Sequence, residues 1–431
     1  MKKNKVLIIV PHQDDEINLV GNILRGLVRE KDVYVLFTSL DNHPARGEIR
    51  KSEALNSLSV YGVDVNHIDF FAFPDTPNKA EHHFYSDNEE LVVKRFEEYI
   101  LELMPSVIFA TDFDFHSDHR MCSLAFETAM GNILKLRKNY HPLVFKGFCY
   151  DTAFYGPEDF TACHNKKTEV KNELLSNPSY EWKDRISFCS DEGDSIMMFR
   201  PTYKALRKHK SQYAILHAKS IINADNVFWQ RRSDNLAFNA RLSAGGNAPE
   251  RLSDFKVVDT SDIRTLNPHN IDYSKGCWNF SEKSCDIIYT WENLVSIDRV
   301  ILHGNINCSH REAACITIMS NSTIIAKCEF VREYARGTEI LFPQIKTDNL
   351  QISIIKGDHF SGLSEIEILF GEQKFDEIYD INKQQAHECK IQSRLVNSLD
   401  RIIYTVTVIE TKIVRKIKNI LNWESASQST K

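Results

Sequence analysis

Residues 6–150 alternate short apolar runs with segments of helical period, and this alternation constrains the fold more than any other feature of the chain. Residues 6–10 (Val-Leu-Ile-Ile-Val) are continuously apolar and β-branched, the pattern of a strand buried on both faces of a parallel sheet. From Ile17 onward, Leu19, Val20, Ile23, Leu24, Leu27 and Val28 gather on one helical side. The pattern continues with a strand over 33–39, a helix over 46–61 ended by Gly62, a strand over 68–73, and a helix over 89–104 ended before Pro105. A strand over 107–111, a helix over 119–136 and a strand over 143–150 complete it. Such alternation implies right-handed βαβ units, hence an α/β, Rossmann-like open parallel sheet with helices on both faces.

In sheets of this kind ligands bind beyond the carboxyl ends of the strands. The strand exits are therefore expected to share one rim. After the first strand comes Pro11-His12-Gln13-Asp14-Asp15-Glu16; after the second, Asp41-Asn42-His43 leads to Arg46 and Arg50. After the third comes Pro74-Asp75, and after the fourth the run from Asp112 to His116-Ser117-Asp118-His119. His12 and Asp15 are three apart at a strand-to-helix junction, and His116 and His119 repeat that spacing. Imidazole and carboxylate suit zinc, and a catalytic site needs three protein ligands with one position open. Three of these residues on a metal would leave a spare Asp and a spare His for proton transfer.

The Pro-His-x-Asp-Asp-Glu run at 11–16 and His116-Ser117-Asp118-His119-Arg120 resemble the two signature motifs of the PIG-L/LmbE-like de-N-acetylases, zinc enzymes that remove acetyl groups from N-acetylglucosamine-type sugars. Further matches are Phe73-Pro74-Asp75, Arg50-Lys51-Ser52-Glu53 and Lys204-Ala205-Leu206 leading to His209-Lys210-Ser211-Gln212, so the likeness runs over residues 1 to about 240. The resemblance implies that His12, Asp15 and His119 ligate Zn2+ and that Asp14 is the general base. It implies that His116 stabilises the oxyanion and protonates the leaving amine, with Asp118 orienting His116. Arg46, Arg50 and Asp75 are expected to meet sugar hydroxyls or a nearby phosphate, with rim salt bridges the equal alternative. Two prolines common in the motifs are here Gln13 and Ser117, which changes loop shape rather than chemistry. Asp114 stands where some relatives carry a Tyr, leaving Tyr150 or Tyr155 as candidates to help polarise the carbonyl. Glu181-Trp182-Lys183 and the run 228–234 have a sugar-pocket texture, though core packing is the plainer role.

The pattern changes near Ala244-Gly245-Gly246-Asn247-Ala248-Pro249, a turn-rich linker. Residues 250–371 read as seven short strands (286–291, 296–302, 313–319, 323–330, 338–342, 350–356, 363–369), an antiparallel β-sandwich. Cys277-Trp278, Ile297-Asp298-Arg299-Val300 and the closing 363–368 resemble a discoidin-like, galactose-binding-type module, for which glycan binding and a structural role are alternatives. Residues 372–431 form a polar linker and an amphipathic tail, with Leu395, Leu399, Ile402, Val406, Ile409, Ile413, Ile417 and Ile420 opposite Lys412, Arg415, Lys416 and Lys418. A helix packed on the sandwich or on a second subunit is one reading. A basic helix lying on an anionic membrane is the other, and residues 402–409 would also suit a strand.

Composition narrows the function. The 431 residues carry 53 Lys and Arg against 59 Asp and Glu, a net charge of −6, which disfavours a basic nucleic-acid-coating surface. Ten scattered cysteines without a CxxC pair read as reduced core thiols in a cytoplasmic protein. No targeting segment is expected, since the first apolar run stops at Pro11, and no stretch reaches the ~18 apolar residues of a spanning helix. The expected function is zinc-dependent removal of acetyl from an N-acetylhexosamine unit on a lipid-, nucleotide- or glycan-linked conjugate, in the cytoplasm or at the inner membrane face. A non-catalytic glycan-binding or scaffold protein, or a zinc amidase for a different amide, are the alternatives.

Overall fold

The structure, a computed structural model, describes residues 4–76, 84–112, 116–149, 186–189, 195–217, 225–257, 277–304, 312–332, 337–357, 359–373 and 394–428. Five parallel strands, β1 (Lys5–Val10), β2 (Asp32–Leu40), β3 (Ile68–Pro74), β4 (Val107–Thr111) and β5 (Leu143–Gly147), lie in the order β3-β2-β1-β4-β5. Two antiparallel strands, β7 (Asp225–Arg231) and then β6 (Ile186–Cys189), extend the β5 edge. Val6 pairs with Val33 on one side and Val107 on the other, so β1 is central.

The unbroken apolar run of β1 follows from that position. Val6, Ile8 and Val10 enter a core with the helices α1 (Asp15–Val20) and α2 (Leu24–Glu30), together with residues of α3 (Pro44–Ser59) and α7 (Pro201–Leu206). Leu7 and Ile9 enter the opposite core, with Phe96 and Ile100 of α5 (Glu89–Leu103) and Phe126 of α6 (Ser117–Leu136). A short helix, α4 (Phe84–Asp87), precedes α5. Helices therefore cover both faces.

The expected first helix is two. Between α1 and α2 the Gly21 carbonyl accepts the Thr202 hydroxyl at 2.9 Å and Asn22 N donates to Asn226 at 3.0 Å. Residues about 200 positions away satisfy the backbone where the helix breaks, so the local apolar period carries no sign of it.

The second sheet is antiparallel: β9 (Ser284–Gly304), β10 (Glu312–Ser320), β11 (Thr323–Arg332), β12 (Thr338–Lys356) and β13 (Leu363–Leu369), ordered β11-β10-β12-β9-β13. The seven expected strands are five, because 286–291 and 296–302 are one strand, as are 338–342 and 350–356. Register shifts between Leu341 and Ile345 and between Thr347 and Asn349 absorb the irregular residues without ending the strand. Both halves of β9 and β12 feed one core, including Tyr289, Val300, Ile340 and Ile352. The changeover also comes earlier than the linker at 244–249, since β8 (Arg241–Ala244) is already hydrogen-bonded to β9. Asn235, four residues past β7, fixes that segment on β13: its Nδ2 donates to Glu365 and the Ile366 carbonyl, and its Oδ1 accepts from Ala237 N and Ile368 N.

The tail is a helix, α8 (Arg394–Gln428), which excludes the strand reading of 402–409. It packs on the first unit; the second, expected as a sandwich, is one six-stranded antiparallel sheet among the described residues. Asp400, fully buried, holds Arg200 at 2.7 Å and accepts Met197 N at 2.6 Å, and Tyr203 Oη meets Thr407 Oγ1 at 3.0 Å. No helix among the described residues is long and apolar enough to cross a membrane.

Candidate active site

The order β3-β2-β1-β4-β5 reverses direction between β1 and β4, and the crevice above such a switch point is where open α/β sheets bind ligands. His12 to Asp15 leave β1 there, and His116 to His119 leave β4. A cleft of about 390 Å³ opens over them, lined also by Arg46, Arg50, Asp75 and Gln212.

Three donor atoms form a nearly equilateral triangle. His12 Nδ1 is 3.3 Å from Asp15 Oδ2 and 3.3 Å from His119 Nε2, and Asp15 Oδ2 is 3.1 Å from His119 Nε2. Donors about 2.0–2.1 Å from a tetrahedral zinc stand roughly 3.3 Å apart, so the triangle has the edges of three vertices of such a site. Among the described residues His116 also brings a ring nitrogen within 4.8 Å of His12 and His119, and Asp75 and Asp118 approach His12 similarly. His12 Nε2 is taken by Asp118 Oδ2 at 3.0 Å, which leaves Nδ1 as its metal-facing atom. A ring nitrogen toward the ion and the other held by a carboxylate is the usual arrangement of a metal-ligating histidine. The residues present therefore fit a divalent cation.

Electrostatics lean the same way. Burial opposes charge on His12, but hydrogen bonds to Asp118 and Asp15 together with the Asp75 and Asp15 charges hold its pKa well above the ordinary value. Burial likewise opposes charge on Asp15, yet His119 and His12 keep its pKa far below the usual carboxylate range. Unlike Asp15, its neighbour Asp14 has its pKa pushed up to about 7, by burial first and by the Asp15 charge next. Asp14 also has φ 141°, a backbone conformation that side chains rarely adopt. The strain is held by contacts on either side: Asp14 N donates to Glu16 Oε2 at 2.9 Å, and Gln13 Nε2 donates to the Ser39 carbonyl at 2.7 Å. Glu16 in turn holds His209 Nε2 at 2.9 Å, with both side chains fully buried. Burial opposes charge on His209, but Glu16, joined by Asp14 and Glu53, leaves its pKa raised. Glu16 and His209 stand in the quoted motifs, yet the spacing gave neither a role; a carboxylate and a histidine 193 residues apart could be paired only by the fold.

Asp118 requires a correction. The sequence reading has it orient His116, but its Oδ2 is 4.0 Å from His116 Nδ1 and 3.0 Å from His12 Nε2. Its carboxylate is turned toward β1 because Thr76 N donates to both its oxygens, at 3.3 and 3.2 Å. His116 is instead the N-cap of α6, its Nδ1 accepting Asp118 N at 3.2 Å. That bond requires an unprotonated Nδ1. Burial and the neighbouring His12 and His119 rings also press its pKa well below the ordinary histidine value. With Nδ1 accepting the Asp118 amide, Nε2 is the ring atom through which a neutral His116 would donate.

Asp75 and Arg50 lie together, Arg50 Nη1 donating to Asp75 Oδ2 at 3.0 Å and Nη2 to Gln212. Asp75 Oδ1 is buried and finds no hydrogen-bond partner among the described residues. Arg46 is exposed at the cleft mouth and pairs with Asp41 at 3.2 Å. Asp114, Tyr150, Tyr155 and Glu181-Trp182-Lys183 lie outside the described residues.

Residues 7–130 match the model of the PIG-L family, described as GlcNAc-PI de-N-acetylase. Among solved structures, the chain is similar to N,N'-diacetylchitobiose deacetylase from Pyrococcus horikoshii, with 22% identity, TM-score 0.25, and 32% of this chain and 52% of that one covered. The chain thus spans about half the length of that deacetylase. It is also similar to the conserved protein TT1542 from Thermus thermophilus, with 22% identity, TM-score 0.26, and 33% and 65% covered. A third likeness is to the CBM32 of AlyQ, with 11% identity, TM-score 0.24, and 30% and 95% covered.

Proposed function

We propose that the chain is a metal-dependent hydrolase that removes the acetyl group from an N-acetylhexosamine unit of a sugar conjugate. The observation that carries this reading is the triangle of His12, Asp15 and His119 donors with the Asp14 carboxyl beside it. The family match over 7–130 supports it. Two imidazoles and a carboxylate favour zinc. When bound, such an ion supplies Lewis acidity, making water acidic enough to lose a proton near neutral pH and polarising an acyl oxygen.

The chain's own groups divide the remaining work. Asp14 accepts the proton of the attacking water. His116, a neutral donor through Nε2, hydrogen-bonds the oxygen on which negative charge develops. The proton taken by Asp14 is the one the leaving amine needs, so Asp14 serves as base and then acid. This departs from the role of amine acid expected for His116, whose Nδ1 is engaged in capping α6. Asp75 Oδ1 accepts from a sugar hydroxyl, and Asp118 holds His12 in the ligating tautomer.

The test is incubation of full-length, metal-quantified protein with a panel of N-acetylated sugar conjugates, scored for free amine and acetate. Release that disappears with a chelator and returns with zinc is expected. Stoichiometric zinc with no amine from any member of the panel would overturn the reading in favour of a non-catalytic glycan-binding site.

A further inference from the structure

We propose that the outward face of α8 is a docking surface for an anionic lipid bilayer. Ile402, Val406, Ile409, Ile413, Ile417 and Ile420 recur every three or four residues along it, and each is between 48% and 60% exposed. The stripe runs about 27 Å at 1.5 Å per residue. The opposite side of the helix is committed to the body through Asp400, Tyr203–Thr407 and the partly buried Ile403 and Tyr404. The helix therefore cannot roll over to hide the stripe.

Charge selects the occupant. Between residues 401 and 420 there are five basic residues and one acidic residue, Glu410, a net of +4 on a chain whose total is −6. Lys412 and Lys416 are exposed beside the stripe, while Arg415 and Lys418 stand over the Tyr213 ring at 5.6 and 5.7 Å. A second copy of the chain fits poorly. Leu399, Ile402, Val406, Ile409 and Ile413 would form a coiled-coil seam, but the next seam position is Lys416. Residues 411–420 hold four cations and no acid, so paired copies would set like charges against each other. The only acids between 394 and 410 are Glu410 and Asp400, and Asp400 is buried on Arg200. An apolar stripe flanked by cations lies comfortably at the boundary of an anionic membrane.

Tyr213 follows Ser211 and Gln212, which line the cleft. α8 therefore passes beside the cleft's rim, which lies on the body side of the helix. The surface stands independently of the chemistry proposed above.

The experiment is co-sedimentation of the full chain with vesicles of equal parts phosphatidylglycerol and phosphatidylcholine, against phosphatidylcholine alone, with light scattering of the free protein. Binding to the anionic vesicles only, weakened by salt, and a monomer in solution are expected. Lys412→Gln with Lys416→Gln should weaken binding about 25-fold, roughly fivefold per cation, and Ile409→Ser with Ile413→Ser should abolish it. All four positions are exposed, so unchanged circular dichroism is the folding control. Absence of binding at low salt, or a dimer that the Ile409→Ser, Ile413→Ser variant disperses, would overturn the proposal.

Discussion

Replacing Asp118 by Asn probes the contact that the sequence placed elsewhere. The side chain is fully buried, with one carboxylate oxygen 3.0 Å from His12 Nε2 and both oxygens receiving Thr76 N. Asn keeps the volume and one acceptor, but removes the charge and turns an NH2 group toward one of two donors. A carboxylate in this position fixes the imidazole tautomer and makes its other nitrogen a better ligand, and its loss commonly costs ~10–100-fold in metal affinity. That range equals about 1.4–2.8 kcal/mol. The assay is competition for zinc with a chromophoric chelator on wild type and Asp118→Asn, with turnover measured on the same samples. The expected result is weaker affinity within that range. Unchanged affinity with reduced kcat would refute the reasoning and return Asp118 to service of His116.

Further consequences follow from the same contacts. Asp14→Gly should remove a left-handed backbone strain worth about 1–3 kcal/mol, raising the melting temperature while abolishing turnover; a lower melting temperature would mean the side chain stabilises the loop more than its φ costs. Asp400→Ala removes the carboxylate that compensates the buried Arg200 charge and should destabilise the protein by ~3–5 kcal/mol in denaturant titration, whereas a loss near zero would mean α8 is not docked there. Glu365 is fully buried, and burial together with the Asp254 charge raises its pKa well above the ordinary value. Its neutral form is therefore favoured by folding, and stability falls as pH rises above the usual carboxylate range toward that raised value. Glu365→Gln, which cannot ionise, should compare better with wild type at about pH 8 than at about pH 5 in melting experiments, and a pH-independent difference would count against the shift.

Local pattern made much of this protein legible. The runs that became β1 to β4, the helices after them, and the two His-containing exits were all readable, because burial on both faces imposes continuous apolarity and helical burial imposes its own period. The same applies to α8, whose stripe is plain in the chain. Tertiary structure alone decided the rest. It broke the first helix with Thr202 and Asn226, fused strand pairs into β9 and β12, joined β8 to the second sheet, and turned the tail onto Arg200. It also gave Asp118 to His12 and Glu16 to His209. Each of these pairs groups far apart in sequence, and their meeting depends on strand order and on which buried donor needs an acceptor. A side chain's neighbours one turn away are written in its local sequence; its neighbours across a sheet are set only once the sheet has closed over them.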